Sequence, residues 1–221
     1  MAAYRAARSL RSQRMKEGVE MAATSNTPNT DQVLYAPAAP NAADADEVRA
    51  RPIWGLLRLS MGWIFLWAFL DKLLALGFAT GRNPETGVAD RFGDAAWING
   101  GSPTDGFLQF GLHTKEPFTG FYEGLVGSTF IEWAYMLSMV FIGVALLLGI
   151  TTRLAAGFGV LWMALFYTAS ALSPENNPFL DDHVVYAIVL VGIAVVGAGR
   201  YLGLGRRWEQ LSIVQKYPIL R

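Results

Sequence analysis

The chain has 221 residues, 52% of them hydrophobic and 16% charged, with 18 basic and 18 acidic side chains. That balance is too apolar for an ordinary soluble domain, offers no basic excess for nucleic acid, and suits a small multi-pass membrane protein. The lack of cysteine excludes disulfides, thiol relays, persulfide carriers and iron–sulfur ligation, and two histidines are too few for a haem or multi-histidine metal site.

Residues 1–50 are polar and rich in Ala, Thr, Asn and Pro, and are expected to be a disordered cytoplasmic segment. Arg5, Arg8, Arg11, Arg14 and Lys16 precede no apolar run, so this is not a signal peptide. Two readings of 1–20 stay open: a basic tail that touches anionic lipid, or upstream sequence ahead of a true start at Met21. The second rests on Lys16-Glu17-Gly18, whose codons can resemble a bacterial ribosome-binding site.

A first membrane pass is expected from about Ile53 to Leu76, close to the ~20 apolar residues that cross the hydrocarbon core. Arg58 lies near one end, where it can snorkel, and Asp71-Lys72 lie at the other. Trp54, Trp63 and Trp67 read as interface or packing aromatics.

The long segment Gly77 to Ile131 follows, and a connection of that length is usually functional or separately folded. Ser102-Pro103-Thr104-Asp105 reads as a helix start, with Ser102 capping and Pro103 in the first position. Phe107, Leu108, Phe110 and Leu112 then suggest a short segment capping the bundle or lying on the membrane. A structural cap, a lid over a lipophilic substrate and a docking surface for a partner all fit.

The second pass is expected over about Glu132 to Ile150, the third over Leu154 to Leu172, with Thr151-Thr152-Arg153 between them. The fourth grows out of Asn176 to Ala198, where the polar turn carrying Asp181, Asp182 and His183 runs into an uncharged apolar stretch. Small residues at four-residue spacing, Ala155/Gly159 and Ala194/Ala198, permit close helix approach. Residues 210–221 form a tail, and from Tyr201 onward interleaved apolar and charged residues suggest an interfacial helix. The fold class is therefore all-α: a four-helix transmembrane bundle with a long extracytoplasmic loop between the first two helices.

Orientation follows from the basic residues. Arg49 and Arg51, Arg153, and Arg200, Arg206 and Arg207 mark the cytoplasmic side. The third-to-fourth connection carries Glu175, Asp181 and Asp182 and no basic residue. Both termini are thus expected in the cytoplasm of a bacterial cell, with the long loop and the Asp-Asp-His turn outside.

No nucleotide loop, metal-ligand cluster or nucleophile–base pair is present, and no covalently bound cofactor is expected. Ionisable residues at the boundaries remain: Asp71, Lys72, Glu132, Asp181, Asp182 and His183 should gather at the outer interface. The plain reading is helix caps at positive helix ends plus an ion pair to Lys72. The functional reading has Lys72 or His183 bonding a quinone carbonyl while Asp182 or Glu132 passes the proton. Histidine suits a proton relay because it ordinarily titrates near neutrality. Asp71 and Arg58, with Arg153, complete the expected ligand-binding set. His113 has no visible partner and receives no role.

Taken together, these residues resemble the DoxX/DoxD family of small bacterial and archaeal four-pass membrane proteins. The resemblance covers about Arg51 to Glu209, the four-pass domain 51–209. It rests on Arg58 followed by Lys72, on GVALLLGITTRLAA at Gly143 to Ala156, and on NNPFLDDHVVYAIVL. The loop WINGGSPTDGFL, Trp97 to Leu108, looks closer to the thiosulfate:quinone oxidoreductase branch. That resemblance implies the membrane subunit of an enzyme passing electrons from thiosulfate to quinone, with an extracytoplasmic redox partner subunit. The DoxX branch implies instead a role in membrane complexes that handle thiol and oxidative stress, which matches a non-catalytic scaffold. One departure stands out: many relatives carry a Glu where this chain has Met139, and Glu132, on the same helical face, is the available substitute.

Overall fold

The computed structural model describes residues 14–16, 42–112, 117–170, 172 and 179–221, and Asp46–Arg221 forms one compact unit. Among the described residues the regular structure is helical, with a single isolated bridge, Arg82 to Ala89, in place of any strand.

Helix α1 (Ala42–Leu74) starts well before the expected Ile53 and carries Pro52 inside it. Its first turns are built from Ala, Asp, Glu and Arg, which favour helix, with the acids towards the positive end. Two surface pairs support them, Arg51–Glu47 at 3.1 Å and Arg49–Asp46 at 3.7 Å, each contributing at most a few tenths of a kcal/mol by the usual ~0.2–0.5 range. Residues 42–50 are therefore helical rather than part of a polar tail, while most of 1–41 lies outside the described residues.

Two short helices, α2 (Pro103–Phe110) and α3 (Thr119–Glu123), come from the long connection. The start of α2 is as expected: Ser102 accepts from the Asp105 amide and Pro103 occupies the first turn. Then follow α4 (Thr129–Leu148), α5 (Thr152–Ser170) and α6 (Asp182–Val195), with short α7 (Gly205–Trp208) and α8 (Ser212–Lys216) at the end. His113 and Glu175 lie outside the described residues.

Two helical stretches, Ala45–Leu74 and Thr129–Leu148, are long and apolar enough to cross a membrane. Helix α5 has 19 residues but is less apolar, and α6 is apolar but has only 14. The apolar run of the sequence continues past α6 to Ala198, but the chain turns at Gly197, in the left-handed region at φ 63°, and a short 3-10 turn covers Ala198–Arg200.

The core is a ladder of Met61, Phe65, Met136, Met139, Ile142, Leu146, Leu190 and Ile193, all buried. Its tightest point is the crossing of α1 and α4. A methyl group on Gly143 would lie 2.7 Å from the Leu66 backbone nitrogen, and one on Gly62 would lie 2.9 Å from that of Leu147. Both obstacles are backbone, which cannot swing aside. Gly143→Ala is therefore expected to destabilise the fold by ~1–3 kcal/mol, the usual cost of overpacking. A thermal melt in detergent checks this, with the half-exposed neighbour Val144→Ala as control; equal midpoints would refute the crossing.

Candidate functional site

One apolar cavity of about 500 Å³ lies at the end of the bundle where α1 finishes and α4 and α6 begin. Helical spacing supplies its wall: Ile64, Phe65, Ala68 and Lys72 from α1, Ile131, Tyr135 and Met139 from α4, Trp162, Met163 and Phe166 from α5, and His183 and Tyr186 from α6. The residues between α1 and α4 close it over. Pro103, Thr104, Phe107 and Leu108 of α2 and Phe121 and Tyr122 of α3 complete the lining, so the long connection is a roof.

The roof is held by two polar attachments. Tyr122 donates its hydroxyl hydrogen bond to the Leu165 carbonyl at 3.1 Å and pairs with Thr168 Oγ1 at 2.6 Å, docking α3 on α5. Glu132 holds α2: its Oε2 accepts from Ser102 Oγ at 2.6 Å, from the Thr104 amide at 3.2 Å and from the Thr104 hydroxyl. A carboxylate at the start of a helix meets unpaired amides and the positive helix end, so the arrangement is favourable twice over. Glu132 is only 7% exposed, and its second oxygen, Oε1, is buried with no hydrogen-bond partner among the described residues.

His183 lines the cavity with its orientation fixed. Nδ1 lies 2.5 Å from Asp181 Oδ2, and the other Asp181 oxygen accepts from the Val184 amide at 3.2 Å, capping α6. Asp181 thus sets the imidazole and leaves Nε2 as the nitrogen for a ligand. The sequence reading assigned the carboxylate role to Asp182, but Asp182 is exposed and 3.7 Å from Nδ1. Asp181, read from the sequence as a helix cap beside Asp182, both caps α6 and meets the imidazole. Ligand-type atoms of Asp181, Asp182 and His183 lie within 4.8 Å of one another, an arrangement already accounted for by the cap and the His–Asp pair.

Lys72 also lines the cavity, with its ammonium 5.9 Å from the centre of the Tyr135 ring, a cation–π contact. Among the described residues it makes no ion pair, contrary to the expected pairing with the helix-cap acids. Asp71 is turned the other way: it accepts from the amides of Phe78, Ala79 and Thr80 at 3.1, 2.8 and 2.9 Å. It fixes the chain as it leaves α1, and its place in the ligand-binding set is corrected accordingly.

Arg58 and Arg153 also lie away from the cavity. Arg58 is fully buried rather than snorkelling, and donates to carbonyls of Leu146, Leu147, Ala198, Tyr201 and Leu202. Arg153 donates its amide to the Arg221 oxygen at 2.9 Å and its guanidinium reaches the Pro218 carbonyl at 3.4 Å. Both arginines hold backbone, and neither reaches the cavity lining. Met139 forms part of the apolar wall and is 2% exposed.

Of the expected site residues, the fold brings Lys72 and His183 to one cavity, uses Glu132 to pin its roof, and sends Arg58, Asp71 and Arg153 to structural work. Tyr135 and Tyr186 join the cavity unannounced, because a tyrosine inside an apolar run looks like any packing aromatic. No protein-family model, characterised protein or solved structure matches this chain. The site is therefore read from its own chemistry.

Proposed function

We propose that this chain is the membrane subunit of a quinone-linked redox complex. In that reading it resides in a bacterial cell membrane as a four-pass bundle, both termini cytoplasmic and the roofed cavity on the outer side. α5 and α6 then cross together with α1 and α4, the short α6 being extended by the Ala198–Arg200 turn. The observation that carries the reading is the cavity itself: an apolar volume of about 500 Å³ with Lys72 and His183 in its wall. Pockets for lipophilic cofactors have this size and this lining, an apolar body with a few placed polar groups.

A quinone ring fits between Phe65, Trp162 and Phe166, with one carbonyl accepting from Lys72. His183, held by Asp181, takes and gives the proton that accompanies reduction. Thiosulfate as electron source and an outward-facing partner subunit follow from the DoxD-like resemblance and belong to the same proposal. The test is extraction in mild detergent followed by mass spectrometry of co-purifying lipophiles. Near-stoichiometric quinone is expected, reduced at least tenfold in Lys72→Ala and His183→Ala. Protein that neither retains quinone nor binds it when added would remove the proposal.

A non-catalytic scaffold for a redox or oxidative-stress enzyme is supported by a different feature, the outward side chains of the roof. Phe110 and Phe118 are 86% and 49% exposed. If a crosslinker at Phe110 repeatedly captures one redox protein while quinone is absent, this second reading replaces the first.

A further inference from the structure

Charge in the cavity is unbalanced. Its wall is apolar but for a few groups, and the one full cation among them, Lys72, has no carboxylate within ion-pairing distance among the described residues. The two nearest acids in the sequence and fold are committed elsewhere. Asp71 holds three backbone amides, and Glu132 Oε2 holds Ser102 and Thr104. His183 is tied through Nδ1 to Asp181, so that pair does not neutralise Lys72 either. An ammonium partly removed from water, with the Tyr135 ring face 5.9 Å away and the Asp71 charge acting on it without direct contact among the described residues, has no oxygen paired to it there.

We infer that the cavity recognises an amphiphile through an anionic oxygen, which pairs with Lys72 while the apolar body fills the space beneath. The inference rests on the cavity being the ligand site and goes beyond it in specifying the charge of the ligand. A neutral carbonyl would satisfy one donor of Lys72 and leave its charge unmet. An acidic ring hydroxyl or a carboxylate satisfies both.

Two kinds of molecule carry such a group, a ring acid of the hydroxyquinone type and a long-chain carboxylate, and paired probes separate them. Full-length protein in detergent micelles is titrated, following tryptophan fluorescence from Trp162 in the cavity wall. The first pair is an alkylated 2-hydroxy-1,4-naphthoquinone and its methyl ether; the second is a sixteen-carbon carboxylate and its methyl ester. At least one acid is expected to bind about tenfold or more tightly than its neutral partner. Lys72→Met should abolish that preference, weakening the acid more than its neutral partner until the two bind alike, and Lys72→Arg should restore part of it. Preference in the ring pair alone assigns a quinone-like head, in the chain pair alone a fatty-acid-like one, and in both a general anionic amphiphile. Equal affinities within both pairs, or a preference that survives Lys72→Met, overturns the inference. An alkylated naphthoquinone without the hydroxyl, measured alongside, reports on the quinone proposal separately, since it can bind while the charge preference fails, or the reverse.

Discussion

Arg58→Ala is expected to prevent the protein from accumulating as a folded species, or to lower its thermal midpoint in detergent by well over 10 °C. The guanidinium is fully buried and joins α1 to the end of α4 and to the turn after α6, two segments also tied by the Leu204 amide on the Leu148 carbonyl at 2.8 Å. Leu146 and Leu147 belong to the last turn of α4, where carbonyls run short of helical partners, and Ala198, Tyr201 and Leu202 belong to the turn after α6. The positive charge also sits at the negative end of the α4 dipole. Glycines make room for it: a methyl group on Gly203 would lie 2.9 Å from Arg58 Nη2, and one on Gly149 would lie 3.3 Å from Cζ. Removing the side chain leaves a cavity and takes the guanidinium from the part-buried carbonyls of Leu147, Tyr201 and Leu202, while Leu146 and Ala198 keep the amides of Gly149 and Tyr201, at about 1–3 kcal/mol for each group left unsatisfied. Arg58→Lys should recover little, because an ammonium cannot present the planar fork that reaches carbonyls on two sides. Yield and melting of Arg58→Ala, Arg58→Lys and the wild type decide it. An Arg58→Ala protein that melts within about 2 °C of wild type would show that the carbonyls find water instead.

The helices were legible wherever a local signal dictates them. Ser102-Pro103 placed the start of α2, and the apolar run after Ser128 placed α4, because capping and hydrophobic runs act over a few residues. The start of α1 was missed for a local reason too: Pro52 reads as a boundary, yet the Ala- and Glu-rich turn before it is helical on its own account. For the ionisable residues the sequence supplied which end of the bundle they occupy and not what they face. Asp71 and Lys72 are neighbours in the chain, but successive positions on a helix point about 100° apart, so one meets backbone amides and the other the cavity. Arg58 was legible as costly in an apolar run and illegible as an anchor, since its acceptors are carbonyls from residues 146 to 202. Backbone acceptors leave no trace in side-chain identity.

Glu132→Ala is expected to open the roof of the cavity without unfolding the bundle. Ser102, the Thr104 hydroxyl and the Thr104 amide all donate to one Glu132 oxygen, and bonds to an ionised acceptor contribute about 1.5–3 kcal/mol each before the donors recover water. Water reaches the freed donors, so a net loss of about 2–4 kcal/mol in holding α2 down is reasonable, or at least tenfold in the open population at 1.4 kcal/mol per decade. The bundle itself survives because the core ladder of α1, α4, α5 and α6 does not include the Glu132 carboxylate. The chain contains no cysteine, which permits a clean readout. Leu108→Cys places one thiol on the inner face of α2, at a position 7% exposed and in the cavity lining. Labelling by a water-soluble maleimide should be slow in the Leu108→Cys protein and at least tenfold faster when Glu132→Ala is added, with the thermal midpoint lowered by only a few degrees. Glu132→Gln should fall between, since its amide oxygen still accepts but carries no charge. Equal labelling rates in all three would mean that Glu132 is no latch and that α2 is held by other contacts, such as the Gly127 amide on Asp105 Oδ1 at 2.7 Å and the packing of Phe107 and Leu108.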